Sequence, residues 1–128
     1  MRKLLVFLGL SLSLSLFGSV LSAQFEITDD AMRDIEDTAK SLDSHVVLKD
    51  KKAALAEVQE LIAYFRQVEG FYAAKPDAGD GVEFARKTHV LAEDVLKSIE
   101  AGNFDQAAES VNTLTRSCKT CHDVYKSN

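Results

Sequence analysis

Cysteine, proline, glycine and basic charge are all scarce in this chain, and each shortage removes a class of protein. Two cysteines in 128 residues cannot build the disulfide framework of a small exported scaffold. One proline and six glycines leave few of the turns that a sandwich or barrel of short strands requires. Lys and Arg number 15 against 20 Asp and Glu, so nucleic acid and anionic membrane surfaces are poor partners. Internal repeats are absent. So are a phosphate-cradling glycine loop, a nucleophile with a base at usable spacing, and a carboxylate pair that stands out from the helix-face acids, and no enzymatic activity is assigned.

The two cysteines that are present lie together, in Cys118-Lys119-Thr120-Cys121-His122. C-x-x-C-H is the spacing of covalent c-type haem attachment. Each thiol can add across one vinyl group of the porphyrin, and the histidine beside the second cysteine then reaches the iron from one face. One covalently attached haem c is therefore expected, on Cys118 and Cys121, with His122 as the proximal axial iron ligand. A redox dithiol would require a strand-to-helix turn in a βαβ setting, which this chain lacks. A zinc site would require a second cluster of ligands, and His45 and His89 stand alone. A plain disulfide between Cys118 and Cys121 is the remaining competitor.

The one long apolar run is at the N-terminus. Arg2-Lys3, then Leu4 to Phe17, then small residues ending in Leu21-Ser22-Ala23 have the pattern of a secretory signal, cut after Ala23. Leu21 is an unusual residue three positions before a cut, so retention as an anchor is the alternative. No cysteine near the cut offers a lipid-anchoring site. The expected organisation is a signal peptide over 1–23 and one domain over 24–128, with no stable membrane insertion after cleavage. Loss of Arg2 and Lys3 leaves 13 basic against 20 acidic residues, a net charge of −7. A partner protein with a basic docking patch suits that charge, although acidity also serves solubility.

From residue 24 onward the apolar residues recur at three and four, which predicts an all-α chain. A first helix follows Thr28-Asp29-Asp30 and carries Met32, Ile35, Ala39, Leu42 and Val46 on one stripe. A second follows Asp50 with Leu55, Val58, Leu61, Ile62, Phe65, Val68 and Tyr72. Pro76-Asp77-Ala78-Gly79 interrupts, and Asp80 with Glu83 predicts a capping box for a third, striped by Val82, Ala85, His89, Ala92, Leu96 and Ile99. Ala101-Gly102 ends it. Asn103 with Gln106 opens a fourth, striped by Phe104, Ala107, Val111, Leu114, Cys118, Cys121 and Tyr125.

Short connections make neighbouring helices antiparallel, so the expected fold is an up-down-up-down four-helix bundle carrying the haem. In such a bundle the start of the first helix and the end of the fourth share one end. Met32 and His122 each lie about one turn inside that end, roughly 6 Å along the axis, which makes Met32 the expected distal iron ligand. Ordinary core packing is the alternative for Met32. His45 is about 20 Å further up the first helix and out of reach. His89, on the apolar stripe of the third helix, is the rival ligand; a satisfied core histidine is its simpler reading.

A signal peptide, four amphipathic helices and a C-terminal Cys118-Lys119-Thr120-Cys121-His122 followed by Tyr125-Lys126 resemble the class II c-type cytochromes across all of 24–128. The resemblance implies a periplasmic location. It also implies one of two functions. Low-spin members take a methionine from the first helix, which Met32-Arg33 resembles, and would act as electron carriers between redox partner proteins. Cytochromes c′ keep a five-coordinate iron and bind or buffer NO and CO, often as homodimers. Arg33 is a candidate for a distal-pocket arginine, and Arg116, Lys119 and Lys126 for contacts with propionates; solvated surface positions suit each as well. Phe65, Phe71, Tyr72, Phe84 and Tyr125 gather toward the same end, as packing that keeps water out.

Overall fold

The computed structural model describes residues 25–125. It consists of four helices: α1 Asp29–Val47, α2 Lys51–Ala73, α3 Gly79–Glu100 and α4 Phe104–Tyr125. The expected signal peptide, the start of the domain at Gln24, Lys126 and the side chain of Tyr125 lie outside the described residues. No helix among them is long and apolar enough to cross a membrane.

The helix starts follow local chemistry at three of four places. Thr28 and Asp50 accept the amide protons of Ala31 and Ala53 through their side chains, at 3.1 Å each, and Asn103 Oδ1 accepts from Gln106 N at 3.1 Å. The capping box expected from Asp80 and Glu83 does not form. α3 instead starts at Gly79 behind Ala78, which has no capping side chain, and the Glu83 carboxylate turns outward to Lys87 at 2.7 Å. That cation, four residues on, competes successfully for the carboxylate and holds its pKa low.

Two of the helix ends use the same device. After α1 the backbone passes through a positive φ of 57° at Lys49, and after α3 through 73° at Gly102. In both, the next amide reaches back to the last turn, Asp50 N to His45 O and Asn103 N to Ser98 O, each at 2.9 Å. Glycine adopts this conformation without strain; Lys49 carries the steric cost of its Cβ.

Paired residues show the direction of packing. His45 and Ser41 on α1 meet Glu57 on α2, and Arg66 and Glu69 on α2 meet Glu93 and Arg86 on α3, so numbers rise on α2 as they fall on α3. Lys51 Nζ, at the start of α2, donates to Glu100 O at the end of α3, 2.8 Å away. α4 closes the bundle against α3 and α1. The interior holds Ile35, Ala39, Leu42 and Val46 of α1 and Val58, Leu61, Ile62, Phe65 and Val68 of α2, as the stripes predicted, with Ala107, Val111 and Leu114 of α4. Full burial of each large aliphatic side chain contributes roughly 1.5–3 kcal/mol.

α3 differs from its predicted stripe. Its buried residues are Gly81, Ala85, Thr88, Ala92, Val95 and Ile99, so Thr88 and Val95 face inward where His89 and Leu96 were expected. Both stripes alternate three and four and share Ala85, Ala92 and Ile99; helical period cannot separate them. The neighbours do. α2 presents Arg66 and Glu69 on the flank that His89 occupies, and α4 presents Ser117 to the hydroxyl of Thr88.

Candidate functional site

The last turns of α4 carry the motif. At about 100° per residue, Cys118 projects within about 20° of the mean direction of Ala107, Val111 and Leu114, so the helix that buries those three turns Cys118 toward the interior. Cys121 lies about 60° to one side of Cys118 and His122 about 40° to the other. Both cysteines are free and half-buried, and Cys118 packs against the core.

Burial shapes their acid–base chemistry. It is the largest influence on Cys118, whose pKa rises from 9.0 to about 11, with the neighbouring Cys121 and the Glu36 carboxylate of α1 adding to the effect. Burial raises Cys121 as well. Both thiols therefore hold their protons at neutral pH. A redox dithiol needs the reverse, a depressed pKa, commonly at a helix N-terminus, and these cysteines sit in the final turns of a helix.

The Glu36 carboxylate of α1 is close enough to Cys118 of α4 to contribute to the rise of that thiol's pKa. Glu36 lies one turn after Met32 on α1, and Cys118 one turn before His122 on α4. Met32 is half-buried and packs on the core together with Phe25 and Ile27 from the segment before α1. The buried side chains of α1, α2 and α4 end at Ile35, Val68 and Leu114, and beyond them toward the motif the described side chains of these three helices are half-buried or exposed, while α3 stays buried at Ala85 and Gly81. The chemistry of the donor set fits haem: two protonated thiols on adjoining faces of α4 with an imidazole beside them, and a half-buried thioether early on α1. On the α2–α3 side, the Tyr72 ring lies so close to Gly81 that a Cβ there would come within 2.5 Å of it.

The three histidines differ in their commitments. His45 Nδ1 bonds Glu57 Oε2 at 2.8 Å at the opposite end of the bundle, and that hydrogen bond raises its pKa. His89 sits on the outer α2–α3 seam, not on the apolar face where the sequence pattern set it: its Nε2 accepts from Arg66 Nε at 3.2 Å and lies 3.3 Å from Glu93, with Glu69 3.8 Å from Nδ1. A ring held by these three contacts to α2 and its own helix is turned away from the layer of the thiols. His122 is half-buried and, among the described residues, takes part in no hydrogen bond or ion pair. Among the described residues, no group of three His, Cys, Asp or Glu is placed to hold a metal ion.

Of the candidate basic residues, Arg33, Arg116 and Lys119 are exposed to solvent. Arg33 is exposed and pairs loosely with Asp30 at 3.6 Å, and Lys119 is tied to Asp123 at 2.7 Å. Sequence reasoning missed the pair Thr88 and Ser117, whose hydroxyls meet at 2.8 Å beside the motif. The available signal was the polar residue at each of these two positions, between apolar neighbours one turn away on either side. No family model, curated protein or solved structure matches the chain.

Proposed function

We propose that this protein is an exported monohaem c-type cytochrome of the four-helix-bundle class, acting as an electron carrier. In this reading Cys118 and Cys121 hold the haem as thioethers, His122 is the proximal ligand and Met32 the distal one. The observation that carries it is the motif itself, with both thiols on the inward side of α4, just past Leu114, its last buried residue among those described. Support also comes from His122, the one histidine of three with no carboxylate partner among the described residues.

Haem supplies an iron that cycles between ferric and ferrous without a chemical substrate. The residues do the rest. Each thiol adds S–H across a vinyl double bond, sulfur to one carbon and the proton to the other, so attachment consumes no oxidant. The imidazole of His122 and the thioether of Met32 bind without net charge, and methionine favours the reduced metal relative to a second histidine. Phe65, Tyr72 and Phe84 exclude water from the layer, which further tunes the potential. A redox partner with a basic docking patch would match the acidic surface, and export to the periplasm would follow from the N-terminal signal.

The test is the mass and the oxidised and reduced absorption spectra of the protein exported from cells that attach haem c. One covalent haem and a low-spin spectrum are expected, and Met32→Ala should keep the mass while opening the sixth position. Absence of a Soret band and of a mass gain would overturn the haem. An unchanged low-spin spectrum in Met32→Ala would overturn that ligand, and rapid carbon monoxide binding by the ferrous wild type would favour five-coordinate gas binding over electron transfer.

A further inference from the structure

Among the described residues Thr88 is the one buried polar side chain, 3% exposed. Its hydroxyl has a single proton, which goes to the Phe84 carbonyl at 2.8 Å; the 2.8 Å contact with Ser117 is therefore made with Ser117 donating. Ser117 immediately precedes Cys118. Around α4 it lies about 40° from Cys121 and about 100° from Cys118, with His122 a further 40° or so beyond. The order across this arc runs from Ser117 against α3, through Cys121 and Cys118, to His122 toward α1.

We propose that Thr88 and Ser117 are a positioning pair whose hydrogen bond fixes the rotation of α4, presenting Cys118 and Cys121 at unequal depths and turning His122 toward α1. A buried hydrogen bond suits this task better than apolar contact, because its direction is specified and breaking it leaves a polar group unsatisfied. Rotation of α4 by about 60° would carry Cys121 onto the inward direction that Cys118 now holds and turn Cys118 past it. The two thiols therefore respond to rotation in opposite senses. The pair's role in attachment rests on the haem reading; its geometry does not.

The experiment uses the full chain with both thiols free and reads the modification rate of each cysteine by peptide mass spectrometry. Wild type should modify Cys121 faster than Cys118. Thr88→Val, which keeps shape and removes the hydroxyl, and Ser117→Ala, at a half-buried position that tolerates the change, should alter the ratio of the two rates by about threefold or more. Thr88→Ser should retain the wild-type ratio. Leu114→Ala loosens the core but spares the pair, and should also retain it. An unchanged ratio in both Thr88→Val and Ser117→Ala, or an equal change in Leu114→Ala, overturns the proposal. In the exported protein the two disrupting variants should accumulate singly attached haem. A wild type that gains no haem overturns the haem reading, while the thiol ratio still decides the pair.

Discussion

The protonation of Cys118 yields a quantitative test. A thiol with a pKa near 11 in place of 9.0 has about 100-fold less thiolate at pH 8. Each thiolate is a better nucleophile, by roughly 8-fold over two units for a Brønsted slope of about 0.45, so population wins. The net expectation is exchange with a disulfide reagent about 10-fold slower than for an ordinary thiol, before any steric shielding. Cys121→Ser isolates the signal and leaves burial, the larger cause, in place. The logarithm of the rate should climb with unit slope past pH 9 and bend only near 11. Linkage supplies a second readout. Because the folded thiol keeps its proton to higher pH than the unfolded one, its contribution is fully present below about pH 9 and is lost as pH rises through about 11. Two units correspond to about 2.7 kcal/mol at most. Denaturant unfolding of the haem-free chain across that window measures it, with circular dichroism confirming the fold. A bend at or below pH 9 would refute the inward rotation of α4.

Lys49→Gly should stabilise the bundle by about 0.5–1 kcal/mol, because glycine accepts the positive φ without strain while its greater unfolded freedom offsets part of the gain; thermal melts check it. Gly81→Ala should destabilise by about 1–3 kcal/mol despite alanine's better helix propensity, since the new Cβ would drive into the Tyr72 ring. Equal or higher stability would mean the ring moves freely. His45, its pKa raised by the hydrogen bond to Glu57, should titrate above 6.5 by NMR. Its stabilising contribution is full below the unfolded pKa and lost as pH rises through the folded one, and Glu57→Gln should flatten that dependence.

Much of the bundle was legible because helix formation is local. Thr28, Asp50 and Asn103 cap where their side chains suggested, and the stripes of α1, α2 and α4 face inward with the spacing that 3.6 residues per turn requires. Pro76 to Gly79 marked the break before α3, yet the start there shifted, since Glu83 had a partner in Lys87 as well as in the backbone. In the candidate site, the inward rotation of Cys118 followed from helical period. The position of His89 did not.

By itself the sequence determined the chemistry on offer: two thiols three residues apart, an adjoining imidazole and a thioether one turn into the first helix. It also determined that four amphipathic helices would form, because capping and periodicity act over a few residues. Only the tertiary structure decided between Thr88 and His89 for the interior, paired Ser117 with Thr88, and raised the pKa of Cys118. Those outcomes depend on what the neighbouring helices present. Two stripes of equal period are indistinguishable along one helix, and desolvation sums over groups far apart in the chain.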